Sequence, residues 1–348
     1  MSSSQYAFLI DILCGIAGAM VLLPLLLYLF RPWASRRDKL LSYLDKKSLM
    51  LYYRQFYPST TPPLDRVQAD FAKYFNKHYG RRHYLIPIVL LTVLTLVSAV
   101  AAARTLQVWQ KIAPYQYPLP WIVVSALAGG FTWVVNDLIN RLRRRDFTVS
   151  DIYNAVFRIL IAAPFGWAFA QVVKTDAGVP LAFLLGAFPT STLFTIARRL
   201  AATKLGVSED PASGALELEK LQSISKTNAE RFYDEGISTI VQLAYADPID
   251  LTIRTNFDFN YVIDCISQSL LWIYFEEKTR TIALYSLRGA QEATYLLKSL
   301  GNAESQEQAT ATLKSIADAL NLSSAAVQTT LGQVKDDPYT EFLCSIWH

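Results

Sequence analysis

Polar side chains occur inside several strongly apolar segments of the first 200 residues, where any chemistry they have would take place away from water. Buried hydroxyl, amide and carboxylate groups in such segments either line a polar path or bond one helix to another. Both roles stay open from the sequence. The residues concerned are Thr132, Asn136, Asp137, Gln171, Thr190, Ser191 and Thr192.

A second group of candidate residues lies in the C-terminal part of the chain, in a short segment with helix-start and turn signals. These side chains are polar or charged, and we expect them on the surface, where they could contact a partner protein. They are Ser223, Ser225, Lys226 and Glu235.

The sequence contains no motif that is typical of a nucleotide site, a zinc protease or a serine hydrolase. Its three cysteines form no CxxC pair and no cluster with histidine, which disfavours a structural metal site. The aspartates at 247, 250, 258 and 264 are spaced like helix caps and solvated faces rather than like paired catalytic carboxylates. We therefore expect no cofactor and no metal, and an enzyme is the third choice among the function classes.

The hydrophobic residues make up 52% of the 348 residues, and they are concentrated before residue 200. A helix of about 20 apolar residues spans the hydrocarbon core of a bilayer. Such stretches predict an all-α fold in which a polytopic membrane domain precedes a soluble helical domain. The five predicted spans are 6–30, 84–103, 119–139, 155–173 and 179–197, within a membrane domain of residues 1–199.

Charge predicts how these spans are oriented. Residues 1–197 carry 20 Lys and Arg against 9 Asp and Glu, whereas residues 198–348 carry 13 against 20. The basic residues collect in a long loop at 31–83 and after the third span at Arg141–Arg145, and such clusters remain on the cytoplasmic side. We expect an N-terminus outside, a cytoplasmic C-terminus and a bacterial inner membrane. A re-entrant pair in place of spans four and five is the rival topology.

Two single features of this half have alternative interpretations. The helix predicted at 65–79 has one apolar face, which suits either the membrane surface or packing against the cytosolic domain. Arg158 lies near the start of the fourth predicted span, and we expect its long side chain to reach the interface.

After a linker at 200–217, residues 218–348 have the pattern of a soluble helical domain. Thr227 with Glu230 predicts a capping box, Gly236 a left-handed helix end, and Asp247 with Pro248 the start of the next helix. Further helices are predicted at 261–275, 281–300, 304–320 and 323–334, with an apolar tail that docks on the domain.

The segment at 218–251 resembles helix-hairpin-helix domains. The resemblance covers about a tenth of the chain, and it is carried by Leu218, Leu221, Ile224, Ala229, Phe232, Gly236, Ile237, Ile240 and Leu243. It implies a compact helical core. Nucleic-acid-binding members have a Gly-hydrophobic-Gly hairpin, but this chain has Ser223-Ile224-Ser225 there. With the acidic balance of this half, that departure makes nucleic acid an unlikely partner.

Two classes of function remain. The first is a non-enzymatic integral membrane protein that presents a cytosolic helical domain to a protein partner or to another copy of itself. The second is an oligomeric channel or pore that is gated by this domain. The sequence favours the first, because its clear charges lie at the ends of the spans, whereas charge in the middle of a membrane usually marks an ion path.

Overall fold

The computed structural model describes residues 3–30, 32–109, 118–145, 147–172, 178–188 and 217–346. Within these ranges the chain is helical and contains no strand. The first eight helices are α1 (Ser3–Phe30), α2 (Pro32–Ser42), α3 (Lys46–Phe56), α4 (Val67–Tyr79), α5 (Arg82–Trp109), α6 (Trp121–Arg144), α7 (Val149–Val172) and α8 (Gly178–Ala187). The others are α9 (Lys226–Asp234), α10 (Ile240–Ala244), α11 (Pro248–Thr255), α12 (Phe259–Phe275), α13 (Thr279–Ala283), α14 (Ala290–Leu300), α15 (Gln306–Leu320), α16 (Ser324–Asp336) and α17 (Pro338–Ile346).

The chain divides into two compact units. Unit 1 lies within Met1–Arg37 and His78–Glu209, and unit 2 within Asp38–Lys77 and Asp210–His348. The sequence-based division kept the whole loop 31–83 with the membrane domain. The structure instead groups residues 38–77 with the C-terminal part. Of the two interpretations of the helix at 65–79, packing within the C-terminal unit is the one observed.

Three helical segments in the described part are long and apolar enough to cross a membrane, not the five predicted. They are Phe8–Phe30, Val67–Val108 and Trp121–Arg144. Helix α7 has the length, but Asp151, Asn154 and Arg158 in its first three turns reduce its apolar character. Only the ten-residue helix α8 represents the fifth predicted span, whose residues 189–197 lie outside the described ranges.

The helices of unit 1 run in alternating directions between two ends. At one end the Tyr28 ring packs on those of Tyr84 and Phe147, with centroids 6.1 and 5.1 Å away, so α1 finishes where α5 and α7 begin. At the other end the Leu119 amide donates to the Thr105 hydroxyl at 3.0 Å, which joins the end of α5 to the start of α6.

Glycines allow α6, α7 and α8 to approach one another closely. A methyl group added at Gly166 would lie 2.7 Å from the Ala126 methyl, and one added at Gly130 would lie 3.2 Å from the Ala162 methyl. Helix α7 is therefore antiparallel to α6. Small residues at helix contacts are typical of packing in lipid, where van der Waals contact replaces the hydrophobic effect.

Helix α8 runs parallel to α6 and in closer contact. The Ser125 hydroxyl donates to the Val179 carbonyl at 2.7 Å near the start of both helices. A methyl group on Gly186 would lie 2.3 Å from the Ala126 carbonyl oxygen and 2.9 Å from the Gly130 nitrogen. Backbone atoms of a helix cannot move aside, so this position accepts only glycine.

Unit 2 is built around α12, a helix that is buried on nearly all sides. Its buried residues include Phe259, Val262, Ile266, Leu270 and Phe275. A helix that is apolar all round belongs in the centre of a domain. The C-terminal helix α17 also docks on the unit, as predicted, and its Tyr339, Phe342, Leu343 and Ile346 are buried.

The segment 38–77 completes this unit through long-range contacts. The Ser48 hydroxyl of α3 donates to the Ser345 carbonyl of α17 at 3.2 Å. The Phe342 ring of α17 packs on that of Tyr52, with centroids 6.1 Å apart. In α2 the Lys39 ammonium pairs with the Asp258 carboxylate at 2.7 Å. Residues far apart in sequence thus form one core.

One partly buried hydrogen bond connects this segment to the cap of α11. The Asp247 carboxylate accepts from the amides of Ile249 and Asp250 at 2.9 and 3.1 Å, and from the Tyr52 hydroxyl at 2.7 Å. Asp247 and Pro248 start the helix as predicted. Burial raises the pKa of Asp247 to about 6, against the opposing effect of the bond from Tyr52.

We predict that Asp247 makes unit 2 less stable as the pH rises between about 4 and 6. Its folded-state pKa lies above the ordinary value of 3.8 for an aspartate, so folding favours the protonated form, and this stabilisation is lost as the pH rises through about 6. The loss is on the order of 3 kcal/mol. Hydrogen exchange of peptides from α3 and α11 in the full chain should show it, and Asp247→Asn should abolish this part of the pH dependence. An equal pH dependence in the variant would contradict the assignment.

We also predict that Gly186→Ala destabilises unit 1. The added methyl group would clash with the backbone of α6, and overpacking of this kind costs about 1–3 kcal/mol. The thermal midpoint of the purified full-length protein in detergent should fall. Gly15→Ala is the matched control, because nothing lies within 4 Å of a methyl group at Gly15. Equal melting of Gly186→Ala and the parent would show that α6 and α8 are not in close contact.

Candidate functional site

The predicted hairpin residues form an exposed turn before α9. Ser223 adopts a left-handed conformation with φ of 67°, and its carbonyl accepts a hydrogen bond from the Tyr261 hydroxyl at 3.0 Å. Ser225 is the N-cap of α9, and its hydroxyl accepts from the Asn228 amide at 3.3 Å. The predicted capping box at Thr227 was wrong, because the N-cap is Ser225, two residues earlier, and the helix begins at Lys226. Lys226 itself is exposed.

Glu235 does not belong to this surface, contrary to the expectation from the sequence. Its side chain is buried, and its carboxylate accepts from the Arg254 guanidinium at 3.1 Å. Arg254 also donates to the Glu235 carbonyl at 2.9 Å and pairs with Asp250 at 3.2 Å. A glutamate at a helix end is usually solvated, but here the chain turns after it at Gly236, with φ of 86°, and α11 covers the side chain. Glu235 is a structural residue.

A cavity of unit 2 lies elsewhere, in the α13–α15 groove. This groove is formed by the turn after α13, one face of α14 and the first turns of α15, and it has a volume of about 600 Å³. The lining residues are Tyr285, Ser286, Leu287, Gln291, Glu292, Tyr295, Leu296, Ser299, Ser305, Gln308, Ala309 and Thr312. Two large side chains in this region are exposed to solvent. Tyr295, in the lining, is 73% exposed, and Leu284, which directly precedes the lining residue Tyr285 in the turn after α13, is 82% exposed.

The sequence analysis missed this groove because it predicted one helix at 281–300. The structure breaks that helix at Ser286, which is left-handed with φ of 61°, and α14 restarts after Gly289. The Glu292 carboxylate accepts from the Gly289 amide at 3.0 Å and so caps the new helix. The Arg288-Gly289 pair in the middle of an otherwise helical pattern was the signal that could have indicated a break.

The lining of the groove can bind but offers no evident catalytic arrangement. Hydroxyl, amide and aromatic groups predominate, and Glu292 is the one charged residue among those that line it. Across the described ranges no group of three or more His, Cys, Asp or Glu side chains is placed to hold a metal ion. Tyrosine with small polar residues is the composition of adaptable protein-binding surfaces.

The polar residues predicted to line a pore or join helices make bonds within α6. The Thr132 hydroxyl donates to the Ala128 carbonyl at 2.8 Å, and the Asn140 amide donates to Asn136 at 3.3 Å. Asp137 pairs with Arg141 at 2.7 Å. The Gln171 side chain and Thr190, Ser191 and Thr192 lie outside the described part of the chain.

Arg141 also joins α6 to α7. Its guanidinium lies 2.8 Å from the buried carboxylate of Asp151, which accepts a bond from the Thr148 amide at 2.9 Å. The Thr148 hydroxyl in turn accepts from the Asp151 amide at 3.2 Å, so the two residues cap α7 reciprocally. Asp137 therefore belongs to a structural ion-pair network at the end of the helices.

Arg158 is the residue of unit 1 that sequence analysis placed most poorly. It is 1% exposed, and it lies beside Gly130 near the middle of α6 instead of reaching an interface. Its Nη2 donates to the Leu185 carbonyl at 3.0 Å and to the carbonyls of Gly186 and Phe188 at the end of α8. A cation at a helix C-terminus is favourable, because the helix dipole is negative there. The Trp133 ring lies 5.6 Å from the guanidinium carbon.

Comparison of the chain with known protein families, with curated proteins and with solved structures gives no match.

We predict that Glu235→Lys unfolds part of unit 2 rather than altering its surface. It would bury a cation beside the Arg254 guanidinium in place of the buried Glu235 carboxylate, and a buried charge without an opposite partner is strongly destabilising. The midpoint of thermal unfolding should fall sharply. Glu230→Lys on the exposed face of the same helix is the control and should melt like the parent. If both variants melt alike, Glu235 is not buried against Arg254.

Proposed function

We propose that this chain is a non-enzymatic integral membrane protein that presents unit 2 to a protein partner. The observation that carries the proposal is the α13–α15 groove with Leu284 and Tyr295 exposed beside it. Large exposed apolar and aromatic side chains around a concave surface mark interaction sites. Three apolar segments able to cross a membrane support the anchoring half of the proposal.

Chain topology supports placing all of unit 2 on one side of the membrane. Residues 38–77 follow the first candidate span, and residues 217–346 follow the last, yet both belong to one compact unit. A compact unit cannot be divided by a bilayer, so an even number of crossings separates residue 77 from residue 217. Helices α5 and α6 supply two. The basic residues at 31–37 and 141–145 favour the cytoplasmic side for unit 2 and the outside for the N-terminus.

An even number of crossings between residues 77 and 217 is also compatible with two further passages through the membrane, and the packing of α7 and α8 on α6 is consistent with them. Helix α7 runs back along α6 from Asp151, beside Arg141, to Gly166, beside Ala126. It thus spans nearly the same depth as α6. Helix α8 then returns parallel to α6. We infer that α7 and α8 lie beside α6 in a bacterial inner membrane, in addition to the three apolar segments that are long enough to cross it.

The helix-hairpin-helix resemblance is also part of the proposal. Its apolar positions Leu218, Leu221, Ile224, Ala229 and Phe232 are buried. Ser223 takes the left-handed conformation at the position of the first hairpin glycine in the family. Because serine side chains cover the backbone that would approach a phosphate, and because this half is acidic, we propose protein and not nucleic acid as the partner, including self-association.

Site-specific photo-cross-linking in cells tests the interaction. A photoreactive residue in place of Leu284 or Tyr295 should give a discrete adduct, whose second chain is identified by mass spectrometry and confirmed by cross-linking from that chain. The matched control is Thr329 on α16, which is also exposed and should give none. Absence of adducts at both groove positions, or equal adducts at Thr329, would contradict the proposal.

A polar path through unit 1 is the second candidate function, and Arg158 favours it. A buried charge at mid-membrane depth usually has a functional role. The Arg158 guanidinium lies at the C-terminal end of α8, and this helix of ten residues is only about 15 Å long. In transporters, short helices that end at the midplane of the membrane form ion sites.

Ion flux into liposomes that contain the purified protein tests this path. Parent protein should carry flux above empty liposomes, and Arg158→Met should abolish it. Arg104→Met, which changes an exposed arginine of α5, should leave it unchanged. Parent liposomes without flux would exclude the path.

A further inference from the structure

The charges around the α13–α15 groove select a class of partner. Glu292 lines the groove, and the exposed Glu304 and Glu307 adjoin its lining residues Ser305 and Gln308. One exposed cation, Lys298, lies next to Ser299. Arg288, before α14, is engaged in an ion pair with Asp264. Of these groups only Glu292 is among the lining residues, and on α15 Glu307 points away from the face formed by Gln308, Ala309 and Thr312, so the carboxylate of Glu292 gives the lining its negative charge.

Aromatic side chains in the groove suit the same class of partner. Tyr295 is 73% exposed, and Tyr285, in the turn before α14, is also among the lining residues. A guanidinium group stacks on an exposed tyrosine ring and at the same time donates to hydroxyl, amide and carboxylate oxygens. The lining offers such acceptors at Ser299, Ser305 and Gln308.

We propose that the α13–α15 groove binds an arginine- or lysine-containing peptide segment of a partner protein. This inference rests on the proposed interaction function and specifies its partner. The volume of about 600 Å³ accommodates a few side chains rather than a whole domain surface. Specificity comes from the Glu292 carboxylate and the tyrosine faces, and the rate of association depends on ionic strength.

The proposal is tested by fluorescence anisotropy with the full chain in nanodiscs of neutral phosphatidylcholine. The probe is a short labelled peptide in which arginine alternates with serine and glycine, and the control peptide has glutamate in place of each arginine. The arginine peptide alone should bind. Binding should weaken strongly from about 0.1 M to about 1 M salt, because the Debye length falls from roughly 10 Å to roughly 3 Å.

Two single substitutions in the groove test where the peptide binds. Tyr295→Ala should weaken it about two- to fivefold, the value of an exposed cation–π contact. Glu292→Gln should weaken it by a similar factor of about two to five, because it removes the charge but keeps an oxygen that can cap Gly289. Tyr233→Ala and Glu230→Gln make the same changes on α9 and should have no effect; Tyr233 is 57% exposed.

The proposal is overturned if the glutamate peptide binds as well, if the arginine peptide does not bind, or if the α9 variants weaken binding as much as the groove variants. It is also overturned if cross-links from Tyr295 trap only a second copy of this chain. Cross-links to a partner without binding of the arginine peptide would refute the partner class and leave the proposed interaction function intact.

Discussion

The hydrogen bond from Tyr52 to Asp247 shows the constraint on which the structure of unit 2 depends. A buried carboxylate is costly unless donors surround it, and Asp247 obtains two from its own helix and one from α3. Removing the hydroxyl would leave a buried acceptor unsatisfied, at a cost of about 1–3 kcal/mol. The N-cap of α11 therefore depends on α3 for the hydroxyl group of Tyr52. In turn, the Tyr52 ring is enclosed by aromatic side chains of its own segment and of α17.

Unit 1 is held together by different physics. Apolar side chains on the outer faces of α1 and α5 are exposed, among them Phe8, Leu23, Ile86 and Val97, as suits contact with lipid. Contact between helices depends on the glycines of α6, α7 and α8, which bring backbones together. Arg158 then binds the carbonyls that α8 leaves unsatisfied at its end. The same contact places a buried cation at the C-terminal end of α8.

Local signals in the sequence were sufficient for much of the fold. Three apolar segments, the cap at Asp247, the turn at Gly236 and the burial of Phe232 could be predicted, because each depends on residues within a few positions. Contacts over long distances could not. Ser48 and Ser345 are 297 positions apart, and nothing in either segment indicates the other. The burial of Glu235 and Arg158 and the groove at Ser286 depend on such packing, so composition suggested exposed charges and an unbroken helix.

The central claim is that residues 38–77 and the C-terminal helices form one domain on one side of the membrane. Cross-linking in intact membranes tests it most directly, in a chain without native cysteines that carries Ser48→Cys and Ser345→Cys and a protease site between residues 209 and 210. After treatment with a short bifunctional maleimide, solubilisation and cleavage, the account predicts that the two fragments migrate together under denaturing conditions, and that they separate when either cysteine is omitted. Fragments that separate with both cysteines present would contradict it.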